Sequence, residues 1–211
     1  MNHKYETIVF DLDGTLLDTS VGIFNSVRFA EKQMGFSPIP DEKLRAFVGP
    51  PPKQMYQKMY GVDEGTAIQA TKFHRQYSNE RAIFEASAYD GMVKTLEQLK
   101  AAGCKLAVAT LKGETIAEKI LKINNLSHYF DAIIGMDKEE TRTKCATILL
   151  ALERTHTAGA ALMVGDSEYD AQGAWQAGVD FVGAAYGFGI AQTDTRFPII
   201  QSPIELLQHI S

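Results

Sequence analysis

Asp11-Leu12-Asp13-Gly14-Thr15 places two carboxylates one residue apart, directly after the apolar run Ile8-Val9-Phe10. A β-branched and aromatic run ending in polar residues reads as a buried strand that delivers acids to its C-terminal end. Residues i and i+2 face the same way only while the chain stays extended. Gly14 marks a turn, so Asp13 is expected to begin rotating away from Asp11. Like charges this close repel in a low-dielectric site unless a cation or a shared proton relieves them. The chemistry indicated is divalent-metal binding. The same residues also fit a surface turn, in which Asp accepts local backbone hydrogen bonds and Gly supplies a positive φ. A calcium loop fits less well, because Thr15, Leu16 and Leu17 stand where that pattern needs further acids.

In an open α/β sheet the strand ends converge on one edge, so a site at Asp11 and Asp13 requires chemistry at the other ends too. The run 106–110 ends in Thr110, whose hydroxyl can donate to an anionic oxygen. After the run 131–135, Lys144 stands before an amphipathic helix, with Lys112 and Lys138 as competing lysines. The run 160–165 leads into Asp166, with Asp170 one helical turn further on the same face. Each has a plainer reading: Thr110 as a strand residue, Lys144 as a solvated helix start, Asp166 and Asp170 as helix caps. Together they present the residue types that phosphoryl chemistry requires.

The elements that must position these groups are strands and helices in alternation. Strands are expected at 106–110, 131–135, 160–165 and 180–184, besides the first. Helical spacing runs through Val93, Leu96 and Leu99 before Gly103, and through Ile116, Ile120 and Ile123. It recurs at Cys145, Ile148, Leu149 and Leu152, and at Ala171 and Ala174 before Gly178. This alternation predicts a parallel sheet covered on both faces. Between Asp18 and Ala88 only helical patterns occur, at 21–34, 41–47, 53–60 and 64–81, with Asp18, Thr19 and Ser20 as candidate N-caps. A crossover needs only about a dozen residues, so the stretch reads as an inserted helical subdomain. The expected division is a core of residues 1–17 and 86–211 and a helical domain of residues 18–85.

Composition bounds the rest. The 211 residues carry a net charge of −5, with no Lys/Arg run of the kind nucleic-acid binding uses. No apolar run approaches a membrane span, and the N-terminus Met1-Asn2-His3 leads into the first strand without a signal-peptide core. The separated Cys104 and Cys145 fit a reduced cytoplasmic protein, and the five histidines have no zinc spacing.

The Asp-x-Asp-Gly-Thr at 11–15, the strand-end Thr110, the basic Lys144 and Gly165-Asp166-x-x-x-Asp170 resemble the motifs of the haloacid-dehalogenase-superfamily phosphatases. The helical insertion is similar to the alpha-helical cap of that family. Gly49-Pro50-Pro51 and Tyr186-Gly187-Phe188-Gly189 resemble its phosphoglycolate-phosphatase-like branch. The resemblance implies an α/β fold with a Rossmann-like parallel sheet and a helical cap. It implies a Mg²⁺-dependent phosphomonoester hydrolase that forms an aspartyl-phosphate. Asp11 would be the nucleophile and a metal ligand, and Asp13 the proton carrier and a ligand through its carbonyl. Asp166 would be a further ligand, with Asp170 acting through Ser167 or a water. Thr110, the Leu111 amide and Lys144 would hold the phosphoryl oxygens, with Gly14, Arg45, Gly49 and Lys53 contacting substrate and Phe47 in the cap core. Leu111 and the Thr143-Lys144-Cys145 context depart from the common pattern. The implied partner is a small phosphorylated metabolite, with no nucleic acid or membrane, for a monomer or weak homodimer. A 5′-nucleotidase, a pyrophosphatase, a sugar-phosphate mutase and a non-catalytic phosphate- or Mg²⁺-binding module share the same core.

Overall fold

The computed structural model describes residues 4–210; Met1, Asn2 and His3, counted above with the N-terminal lead and the histidines, lie outside them. In chain order the elements are β1 (Thr7–Phe10), β2 (Leu17–Asp18), α1 (Ser20–Met34), α2 (Asp41–Leu44), α3 (Pro52–Tyr60), α4 (Glu64–Glu80) and β3 (Ser87–Ala88). There follow α5 (Met92–Ala101), β4 (Lys105–Gly113), α6 (Glu114–Ile123), β5 (Ala132–Met136), α7 (Lys144–Arg154), β6 (Ala161–Gly165), α8 (Glu168–Ala177), β7 (Asp180–Ala184) and β8 (Ile199–Ile200). The chain divides into two units, one reaching to Asp18 and resuming at Ala88, the other spanning Thr19–Ser87.

The first unit is a six-stranded sheet in the order β5-β4-β1-β6-β7-β8, with every pairing parallel. The chain builds outward from β1 through β4 to β5, then crosses back to begin the other half at β6. The sheet therefore switches direction beside β1, where open α/β sheets bind ligands. All four residues of β1 are buried, as a central parallel strand requires. Its neighbours hold it in register, with Phe10 opposite Val108 and Val164. One core layer packs Val9, Ala107 and Met163 from the strands against Ile148 and Ala151 of α7 and Ala171 and Ala174 of α8. α8 ends at Gly178 in the left-handed region at φ +72°, where a glycine closes a helix with least strain.

Four local expectations need correction. β4 runs on past Thr110 to Gly113, with a register irregularity against β5 between Ala109 and Gly113, so Leu111 and Lys112 are strand residues. A sixth strand, β8, was not legible, because two residues after Pro198 carry no periodicity. Val93, Ile123 and Leu149 face solvent although they recur at helical spacing. Met92, Leu96 and Leu99 fill the face of α5 instead. Thr19 takes the N-cap position of α1 without a side-chain cap bond, and its hydroxyl is buried without a partner.

The second unit is built from helices, as its spacing predicts, and ends on Ser87 of the short strand β3. α1, α3 and α4 enclose Phe47, whose ring lies 5.2 Å from Tyr56 and 6.5 Å from His74, so Phe47 is core. A buried Glu31 on α1 accepts from Arg28, from Tyr60 (2.6 Å) and from the amide of Ile39 (2.8 Å). That network ties the segment after α1 to both helices.

Candidate active site

Asp11 follows β1, and its amide continues the ladder by donating to the carbonyl of Val164 (2.9 Å). One bond beyond the strand is enough to hold its carboxylate at the sheet edge. The loop then closes on itself: the amides of Leu16 and Leu17 donate to the carbonyl of Leu12, and that of Gly14 to Leu17. Gly14 adopts φ +84°, and a Cβ there would collide with the Asp166 carboxylate. Only glycine meets both constraints.

Lys144 is the first residue of α7, behind the N-cap Thr143, whose hydroxyl accepts from the amide of Ala146. A cation at this end of a helix opposes the helix dipole. Two carboxylates offset that cost. The buried Nζ lies 2.5 Å from Asp11 and 2.6 Å from Asp170, and donates to the carbonyl of Ala109 at 2.7 Å. A Cβ on Gly173 of α8 would overlap Cγ of this lysine, so the glycine leaves the channel it runs through.

Asp170 sits in the first turn of α8, where Ser167 and Asp170 form a reciprocal capping box. One Asp170 oxygen accepts from the Ser167 hydroxyl (2.6 Å) and amide (3.0 Å); the other meets Lys144. Both oxygens are thus engaged. Asp166 follows β6, is buried, and accepts from the amide of Phe188 at 2.7 Å.

Asp13 turns elsewhere, as Gly14 led us to expect. One of its oxygens meets Lys112 at 3.0 Å, and the other is buried without a hydrogen-bond partner. The competition between lysines therefore resolves into two pairings, Lys144 with Asp11 and Lys112 with Asp13. Lys138 is exposed. Thr110 is buried, its hydroxyl accepting from the Lys112 amide (3.2 Å), and Leu111 is half-buried beside it. Arg45 opens a short 3-10 turn and is exposed; Gly49 adopts φ +96°; Lys53 pairs with Glu64 at 3.0 Å. These three belong to the helical unit.

The electrostatics follow from burial. Desolvation pushes Asp11 up to about 7; Lys144 opposes the shift, and Asp170 and Asp13 add to it. Burial likewise holds Asp166 well above the ordinary carboxylate range, with Asp170 and Asp11 contributing. Burial disfavours the charged Lys144, but Asp11 and Asp170 outweigh it and keep the ammonium protonated. Four buried carboxylates against two ammonium groups leave a deficit of two positive charges. Oxygens of Asp11, Asp166 and Asp170 lie within 4.8 Å of one another, a cluster able to coordinate a divalent metal. The donor set is hard oxygen, which suits Mg²⁺. The missing charge, the geometry and the ligand chemistry agree.

A pH dependence follows. An unfolded Asp ionises near about 3.9, whereas folded Asp11 is pushed up to about 7. Between those values the folded protein holds protons that the unfolded chain has released, so stability falls as pH rises through this window. In chelator, the urea midpoint is expected to be higher at pH 5 than at pH 8 on this account. Excess Mg²⁺ is expected to flatten the difference, and Asp11→Asn to reduce it. A midpoint rising from pH 5 to pH 8 in chelator would contradict the shift.

Lys144→Met keeps the volume and removes the charge that two buried carboxylates share. Breaking one side of a buried pair costs about 3–5 kcal/mol. Denaturant unfolding at pH 8 is the measurement, with part of the loss expected to disappear at pH 5, below the raised value of about 7 at which Asp11 takes up a proton.

Sequence reasoning missed three parts of this site: the Ala109 carbonyl, the Phe188 amide and the engagement of Lys112 with Asp13. The first two are backbone groups and leave no trace in residue type. The third depends on β4 continuing past Thr110.

Residues 8–184 match the haloacid dehalogenase-like hydrolase family. A 5′-nucleotidase of Pseudomonas aeruginosa is 36% identical over 188 residues, covering 88% of this chain and 85% of that protein. A phosphoglycolate phosphatase of Caulobacter vibrioides is 31% identical over 192 residues, covering 86% and 80%. Among solved structures, a predicted phosphatase from Clostridium acetobutylicum is 35% identical with a TM-score of 0.88, covering 97% of each chain. The motif spacing, the switch-point site, the helical insertion and these likenesses converge: the chain belongs to the haloacid dehalogenase-like hydrolases, as an enzyme with that family's phosphomonoester hydrolase activity and a strong resemblance to its phosphoglycolate-phosphatase branch.

Proposed function

We propose that the protein hydrolyses a small phosphorylated metabolite through an aspartyl-phosphate on Asp11, with Mg²⁺ held by Asp11, Asp166 and the Asp13 carbonyl. The observation that carries the reading is the unequal treatment of the two motif acids. Asp11 is fixed by Lys144, whereas Asp13 keeps one oxygen on Lys112 and one buried oxygen without a partner. A fixed carboxylate suits attack; a carboxyl with an open oxygen suits proton transfer.

In the first step an Asp11 oxygen bonds to phosphorus as the ester P–O bond breaks, and Asp13 gives its proton to the departing alkoxide. In the second, the Asp13 carboxylate takes a proton from water and the resulting hydroxide attacks phosphorus. The Asp11–phosphorus bond then breaks, releasing orthophosphate. The cation supplies charge neutralisation between the nucleophile and the phosphate. Thr110, the Leu111 amide and Lys144 hold the phosphoryl oxygens where charge redistributes. Asp170 acts as a positioning residue, since Ser167 and Lys144 occupy both of its oxygens. The free cysteines, Cys104 buried and Cys145 half-buried, fit a reducing, cytoplasmic setting.

Selectivity is assigned to the cap segment carrying Arg45, Gly49 and Lys53, whose charges suit a substrate with a second anionic group such as phosphoglycolate. Purified protein with Mg²⁺, screened against a panel of phosphorylated metabolites, tests this. The best substrate is expected to be a phosphorylated small acid, and Arg45→Ala with Lys53→Ala to raise its KM about tenfold while p-nitrophenyl phosphate is hydrolysed unchanged. A best substrate without a second anion would overturn the selectivity assignment. Absence of Mg²⁺-dependent hydrolysis of any phosphate would overturn the hydrolase reading itself.

A further inference from the structure

The segment Tyr186-Gly187-Phe188-Gly189 has no part in the chemistry above, yet three of its four positions, Gly187, Phe188 and Gly189, pack on one acid, Asp166. The amide of Phe188 donates to the Asp166 carboxylate at 2.7 Å. A Cβ on Gly187 would overlap both the Asp166 side chain and the Gly14 carbonyl. A Cβ on Gly189 would come 2.8 Å from the Asp166 carbonyl. Tyr186 donates to the Thr15 carbonyl at 3.0 Å, and its ring stands edge-on to Tyr89 with centroids 4.8 Å apart. The segment therefore bonds to the first motif loop and to the Asp166 carboxylate at once. Gly187 does not adopt the left-handed backbone, so close approach, and not φ, requires glycine here.

We propose that this loop positions Asp166, so that Gly187 and the Phe188 amide set the affinity of the site for its divalent cation. The inference rests on the cation role assigned to Asp166 above. The Phe188 amide takes one carboxylate oxygen and so fixes the rotation of the group within its cluster with Asp11 and Asp170. A methyl on Gly187 has no flexible tip to push aside: it meets the Asp166 side chain and the Gly14 backbone. Either Asp166 turns or the loop lifts and the amide bond is lost. Both outcomes disorder one ligand while leaving the pairing of Asp11 with Lys144 in place.

The test is Mg²⁺ binding by calorimetry on the full chain, alongside the Mg²⁺ dependence of hydrolysis. Gly187→Ala is expected to weaken Mg²⁺ binding about tenfold, the loss typical of disturbing the support of a metal ligand. The activation constant for Mg²⁺ is expected to rise in parallel, with kcat restored to within about threefold at saturating cation, a rescue that general structural damage would not allow. Tyr186→Phe removes only the bond to the Thr15 carbonyl and is expected to weaken Mg²⁺ about threefold, on the order of one hydrogen bond. It decides the matter if Gly187→Ala does not fold. Unchanged Mg²⁺ affinity in a folded Gly187→Ala, or in Tyr186→Phe where the alanine variant is unfolded, would overturn the loop assignment alone. A wild-type protein that binds no Mg²⁺ would overturn it together with the cation reading.

Discussion

Asp13→Asn, mixed with p-nitrophenyl phosphate and Mg²⁺, is expected to release about one equivalent of nitrophenol per protein and then stall. Steady-state turnover should fall by about 10²–10⁴-fold, the usual worth of a positioned acid–base group. The asymmetry comes from the leaving group. Nitrophenolate departs as a stabilised anion and needs no proton, so Asp11 still becomes phosphorylated. The second step has no such relief, because water needs a base. Asparagine is nearly isosteric and its carbonyl can still accept from Lys112, so the geometry and phosphate binding are expected to survive. With an alkyl phosphate the variant should show no burst, since that alcohol must be protonated to leave. Stopped-flow absorbance and an acid-stable, alkali-labile phosphoprotein provide the measurement. Undiminished steady-state turnover would remove Asp13 from the proton transfers.

Asp11→Asn is expected to abolish both phases on both substrates, a loss on the order of 10⁴-fold or more because the attacking atom itself is gone. The variant should remain folded. Its amide oxygen can still accept from Lys144, which also keeps Asp170 at 2.6 Å. The pair of substitutions thus separates the two acids by kinetic phase and not only by rate. A burst in Asp11→Asn would mean that another group attacks phosphorus.

Much of the site was legible because its chemistry lies in residue types at strand ends. Asp11, Asp13, Thr110, Asp166 and Asp170 each follow or end a run whose apolar character announces a buried parallel strand. Lys144 was legible for a different reason: it opens a helix after the third core strand, and the structure places its Nζ between Asp11 and Asp170. Less legible were features without periodicity. β8 is two residues long. Val93, Ile123 and Leu149 show that an apolar residue at helical spacing can still lie at the margin of the buried stripe. Thr19 shows that a cap-type residue at a cap position need not make the bond.

By itself, the sequence determined the kind of chemistry and the fold class. Strand-type runs, helical spacing and acids at run ends are local properties, and a parallel sheet must bring such ends to one edge. It also determined that a helical insertion follows the first motif, since only helical spacing occupies that stretch. Tertiary structure alone decided which charges meet. Lys144 and Asp11 are 133 positions apart, and Phe188 and Asp166 are joined through a backbone amide that any residue but proline would carry. It likewise decided that Lys112 serves Asp13, through a strand that continues beyond its apolar run. Pairing of this kind depends on distances set by sheet register and helix docking, and no local spacing encodes them.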